Sequence, residues 1–156
     1  MINDLLEFLT YEKIYLIVNW GVIPFWLLLI FIPNHSFTNF FNQSVIPIIL
    51  FSVAYGYIAY NIFLDGNILD SFELYNGLDG LYSMFSSEAF LLIFWLHFLA
   101  ISLFIGSWIA RDSLRYMIPK PFVIISLIAT YFTGPVGLFI YWFLRIFFSK
   151  KINFND

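Results

Sequence analysis

The chain has 156 residues, 62% hydrophobic and 11% charged, with a mean hydropathy of +0.87. A water-soluble domain carries roughly a quarter of its residues charged, so this composition excludes an ordinary soluble surface and makes lipid the solvent. The net charge of -3, ten acids against seven Lys and Arg, and the absence of cysteine exclude a basic nucleic-acid-binding face, a disulfide framework and thiolate chemistry.

Met1 to Glu12 hold acids and no basic run, and no small-residue cleavage site follows, so neither a signal peptide nor a transit peptide is expected. Crossing about 30 Å of hydrocarbon takes roughly 20 apolar residues in a helix, and four stretches meet that length. The first span is predicted over about 14–32, stopped by Pro33-Asn34-His35-Ser36, and the second over about 44–64, ended by Asp65-Gly66-Asn67. Asn67 to Phe85 mixes apolar residues with Asp70, Glu73 and Asp79, as a short amphipathic segment would. The third span is predicted over about 88–110, with Ser86-Ser87-Glu88 as its cap and Arg111-Asp112 closing it. The fourth covers about 121–148 and is interrupted by Thr133-Gly134-Pro135-Val136-Gly137, where a kink is expected.

The expected fold is therefore all-α, an integral membrane bundle of four transmembrane helices in one domain. Four spans place both ends of the chain on one side, with Lys13, Arg145, Lys150 and Lys151 facing Arg111, Arg115 and Lys120, a balance that decides no orientation. Trp20, Trp108, Trp142, Tyr11, Tyr15, Tyr116 and Tyr141 lie toward predicted helix ends, as interfacial anchors do. The many Phe, Ile and Asn with little Ala suit a bacterium with an A·T-rich genome, and so a plasma membrane location.

Polar groups at membrane depth are costly, and few occur here: Asn19, Asn61, Glu88, His97 and Arg145. Glu88 either caps its helix and pairs with Arg145 or acts as an acid or base. His97 lies about 13 Å deeper by helical rise, as an interhelical donor or a catalytic group. Nine positions at about 100° each put Glu88 and His97 on opposite faces of a straight helix. Arg111, Asp112 and Arg115 read as a solvated helix end with local ion pairs. Two histidines, His35 and His97, supply no transition-metal site, and no cofactor is expected. Ser102, Gly106 and Ala110 form a small-residue stripe that lets another helix approach, from the same chain or from a second copy in a homo-oligomer.

Met84-Phe85-Ser86-Ser87-Glu88, Trp95-Leu96-His97-Phe98-Leu99, Leu103-Phe104, Arg111-Asp112 and Gly134-Pro135-Val136-Gly137-Leu138 resemble the abscisic-acid-deficient-four-like membrane family. Asn19-Trp20 and Pro24-Phe25-Trp26, followed by Pro33, are similar to the start of its bacterial branch, so the resemblance covers about Asn19 to Arg145. The plant member is associated with neoxanthin synthesis. The resemblance implies a carotenoid or related isoprenoid ligand beside membrane lipid, and isomerisation of an epoxy-xanthophyll to an allenic product without net redox change. It marks Glu88 and His97 as the acid and base, and Asn19, Trp20, Trp95, Arg111, Asp112, Gly134, Pro135 and Arg145 as residues near the ligand. A noncatalytic membrane protein that binds a pigment or a partner protein is the alternative. A transporter fits less well, since neither a repeat nor a charged relay runs along the spans.

Overall fold

The computed structural model describes residues 10–42, 44, 46–64, 72 and 75–149. Among these residues the chain forms eight α-helices: α1 (Tyr11–Gly21), α2 (Ile23–Phe31), α3 (Ser36–Asn42), α4 (Ile46–Leu64), α5 (Leu78–Phe85), α6 (Glu88–Arg115), α7 (Lys120–Thr133) and α8 (Pro135–Ser149). Tyr11–Phe31, Ser36–Leu64 and Glu88–Arg115 are long and apolar enough to cross a membrane. The first of these is interrupted at Val22, where Pro24 removes a backbone donor and its ring crowds the carbonyl four residues back.

Arg111-Asp112 does not close the third span. Its helix runs on to Arg115, giving 28 residues and a length of about 42 Å. The terminator lies further on. The Ile118 N–H reaches the Ser113 carbonyl at 2.9 Å and the Met117 N–H reaches that of Leu114 at 3.3 Å, while Met117 adopts a left-handed φ of 51°. This is the paired hydrogen-bond pattern that turns a chain out of a helix, here built on Met where glycine is usual.

The predicted fourth span is a correction of a different kind. Residues 121–148 form no single kinked helix but two, of 14 and 15 residues, folded back on one another. Gly134 supplies the reversal with φ 58°, its N–H bonded to the Thr130 carbonyl at 2.8 Å, and Pro135 opens the next helix. The two backbones touch at Gly137, where an added Cβ would overlap the Thr130 backbone and hydroxyl. At the far end of the hairpin Phe122 and Phe148 lie with ring centroids 5.9 Å apart. Continuous apolar sequence looks the same in a long span and in a hairpin, which is why the reversal was expected only as a kink.

The chain divides into two compact units, residues 1–21 with 48–98 and residues 22–47 with 99–156. The first contains α1, most of α4, α5 and the beginning of α6. Its α5 covers the end of the segment expected to be amphipathic, burying Met84 and exposing Leu78 and Tyr82; residues 67–71, 73 and 74 lie outside the described residues. In the second unit, α2 packs against α3 and α7. Thr38 Oγ1 donates to the Ile32 carbonyl at 2.6 Å and Asn42 Nδ2 to that of Phe25 at 2.9 Å, which fixes the short α3 on α2. Gly106 lies against Trp26, whose Cη2 stands 2.7 Å from where a Cβ would be. At this position the small-residue stripe of α6 therefore receives a neighbour from its own chain.

Candidate functional site

In the first unit α1, α4, α5 and α6 surround a cavity of about 1150 Å³. Helix α6 contributes Glu88, Leu91, Leu92, Trp95 and Phe98, spaced so that they share one stripe of the helix. Tyr11, Tyr15 and Glu12 come from α1, Tyr57 and Asn61 from α4, and Phe85 from α5. The rings are interlocked: Trp95 packs on Phe98 at 5.5 Å and meets Tyr15 at 6.4 Å, and Phe85 meets Phe94 at 4.6 Å. The result is a broad, open aromatic groove with two exposed carboxylates, Glu12 and Glu88, and one amide, Asn61, on its wall. Flat conjugated or polycyclic apolar molecules suit such walls, because ring faces give large contact area with little side-chain entropy to lose.

The second unit holds a buried polar network. Arg145 Nε donates to Asp112 Oδ2 at 2.7 Å, and the Tyr141 hydroxyl donates to the same oxygen at 2.7 Å. Arg145 Nη2 donates to the Tyr116 hydroxyl at 3.2 Å, and its guanidinium carbon stands 4.7 Å from the Tyr116 ring centroid. Arg145 and Tyr141 are both 0% exposed. A carboxylate and a guanidinium so enclosed are held by each other's charge and by these hydrogen bonds. The network fastens α8 to the end of α6, and every charge in it is engaged. The reading of Arg111, Asp112 and Arg115 as a solvated helix end is thus corrected at its middle member: Arg111 and Arg115 are exposed, whereas Asp112 faces inward and pairs with a residue 33 positions further on.

The marked residues separate accordingly. Glu88 and Trp95 line the cavity, and His97, exposed and nine positions beyond Glu88, is not among its lining residues. Asn19 is half-buried and Trp20 is 67% exposed on α1, neither of them on the cavity wall. Asp112 and Arg145 pair with one another, and Gly134 and Pro135 form the hairpin turn. Sequence reasoning passed over Glu12 and Tyr57, and it read Tyr116 and Tyr141 as interfacial anchors, whereas Tyr141 is buried and both belong to the Asp112–Arg145 network. The signals were present: Glu12 is an acid in the first turn of the first span, and Gly137, Tyr141 and Arg145 recur every four residues on the buried face of α8.

The model of the ABA DEFICIENT 4-like family matches residues 13–141. Protein ABA DEFICIENT 4, chloroplastic, from Arabidopsis thaliana is 30% identical over 101 residues, which is 63% of this chain and 46% of that protein. The chain thus aligns with a little under half the length of this curated relative. No solved structure matches. The match over most of the chain, joined to three helices of membrane-crossing length, shows that this membrane protein belongs to the ABA DEFICIENT 4-like family.

Proposed function

We propose that this protein binds a carotenoid or a related isoprenoid in the aromatic cavity of α1, α4, α5 and α6 and isomerises it. The observation that carries the reading is the stripe Glu88, Leu91, Leu92, Trp95 and Phe98, which sets a carboxyl group at one end of an aromatic wall. Resemblance to a family associated in plants with neoxanthin synthesis supports the substrate class.

Opening an epoxide into an allenic alcohol needs one acid and one base. The acid gives a proton to the epoxide oxygen as its C–O bond breaks, and the base takes a proton from the adjacent polyene carbon. The electron pair of that C–H bond forms the new double bond, so the product has the mass of the substrate. Glu88 is proposed as the acid. His97 stands off the cavity wall, so the base is proposed to be Glu12, the second carboxylate on that wall.

The test is pigment chromatography with mass detection on membranes supplied with β-carotene, zeaxanthin or violaxanthin, with and without the protein. A new isomer of unchanged mass, lost in Glu88→Gln, is the expected result. The cavity's mostly aromatic lining also suits a noncatalytic pigment-binding protein, and retention of an unchanged carotenoid on the purified protein would establish that reading instead. Neither conversion nor retention would reject both.

A further inference from the structure

The α7–α8 hairpin changes the charge count on the two sides of the membrane. Helix α6 is long enough to cross, and the sequence before and at its start, residues 65–88, holds Asp65, Asp70, Glu73, Asp79 and Glu88 with no Lys or Arg. Its other end holds Arg111, Arg115 and Lys120, all exposed, beside Asp112. Helices α7 and α8 are about 21 and 22 Å long, short of the hydrocarbon thickness of about 30 Å. Whatever depth they reach, the turn at Gly134 brings the chain back. Phe148 returns to Phe122, and Arg145 returns to Asp112 and Tyr116 at the end of α6. Ser149, the last described residue, therefore lies at the end of the hairpin that holds Lys120, and Lys150 and Lys151 follow it in sequence.

We infer that the end of the protein carrying Arg111, Arg115 and Lys120 faces the anionic headgroups of the leaflet on the side where the protein is made, and that both ends of the α7–α8 hairpin lie there. A single fourth span would divide the basic residues almost evenly. The hairpin instead keeps the exposed Arg111, Arg115 and Lys120 together at one end, with Arg145 already neutralised by Asp112, while the sequence before α6 is acidic. Basic residues near span ends set orientation and are held on the inner side, where anionic lipids attract them.

The chain has no cysteine, so single reporters can be placed in the otherwise native protein, expressed in a bacterial inner membrane. Asn76→Cys, Met117→Cys and Ser149→Cys leave every charge in place. With a membrane-impermeant maleimide, Met117→Cys and Ser149→Cys are expected to label in inverted vesicles and to be protected in spheroplasts, and Asn76→Cys to do the reverse. Labelling of Ser149→Cys from the same side as Asn76→Cys overturns the hairpin. Labelling of Met117→Cys and Ser149→Cys from outside, or from both sides, overturns the leaflet assignment. A fluorescent protein fused after Asp156 of the unsubstituted chain provides a second measurement: it is expected to fluoresce, as such fusions do when kept inside, and a dark but full-length fusion would also overturn the assignment.

Discussion

Arg145 donates through Nε to Asp112 Oδ2 at 2.7 Å, and the two side chains are 0% and 6% exposed. The pair joins residues 33 positions apart, at the end of α6 and near the end of α8. A buried ion pair contributes less to stability than its Coulomb attraction suggests, because both charges lost their water, but removing only one partner strands the other. Asp112→Leu or Arg145→Met alone is therefore expected to cost about 3–5 kcal/mol, and the double variant to recover a substantial part of that loss. Thermal unfolding in detergent measures the cycle. A double variant no more stable than the worse single would reject charge compensation as the role of this contact.

Tyr141 shares the same carboxylate oxygen and lies one turn before Arg145. Tyr141→Phe keeps the ring, which meets Trp108 edge-on at 5.6 Å, and removes only the hydroxyl. A hydrogen bond to a charged group is worth about 1.5–3 kcal/mol, and a loss of that size is expected in the same assay. A change near zero would mean that the Arg145 contact alone satisfies Asp112.

The hairpin rests on Gly137 and the wall around Trp26 on Gly106. A Cβ at Gly137 meets backbone, which has little freedom to shift, whereas at Gly106 it meets the edge of a tryptophan ring. Both alanine variants are expected to destabilise through overpacking, by about 1–3 kcal/mol, with Gly137→Ala the worse. Gly56→Ala, in α4 with nothing within 4 Å of the new carbon, is the control. It is expected to be neutral, or stabilising by up to about 1 kcal/mol through helix propensity.

These glycines also mark where sequence reasoning stopped. Apolar blocks of span length were legible because hydrocarbon thickness sets one length scale, and the spans beginning near Tyr11 and Glu88 follow from it, while the second runs from Ser36 and not from about 44. The chain reversal at Gly134 was not, since Gly-Pro inside an apolar run reads equally as a kink, and the closeness of Gly137 to Thr130 exists only once the two helices are paired. Glu88 was legible as a charge at a span's mouth. Its companions Glu12, Tyr57 and Phe85 come from three other helices, and no spacing along one chain segment shows that they meet. Asp112 illustrates the reverse error: flanked by Arg111 and Arg115 it looked locally neutralised, but a helix turns neighbours about 100° apart, and its partner came from α8.

Met117 holds φ at 51° and is 87% exposed, in the turn that ends α6. A side chain there crowds the following carbonyl, a cost of roughly 1–2 kcal/mol that glycine avoids. Met117→Gly is expected to raise stability by about 0.5–1 kcal/mol, since the greater freedom of glycine in the unfolded chain offsets part of the gain. Met117→Val is expected to lower it. The two together test the turn geometry independently of any ligand, because Met117 lies outside the cavity lining.

The cavity separates binding from chemistry through residues on one helix. Trp95 lines the groove, touching both Phe98 and Tyr15, so Trp95→Ala removes a large aromatic face from any bound ligand. Retained pigment is expected to fall by about ten-fold or more, in line with an aromatic contact that a bound ligand would cover, worth at least about 1.4 kcal/mol. Glu88→Gln preserves size and hydrogen-bonding capacity but cannot give up a proton as a carboxylic acid can. It is expected to retain pigment while turnover falls by about 10²–10⁴-fold, the contribution usual for a positioned acid or base. His97→Ala, on an exposed position of the same helix, is expected to leave both near the level of the unsubstituted protein. Retention measured on purified protein and product measured by chromatography give the two readouts separately. Equal losses of both in Glu88→Gln would assign Glu88 to binding rather than proton transfer, and lost turnover with intact retention in His97→Ala would return His97 to the site and displace Glu12 as the proposed base.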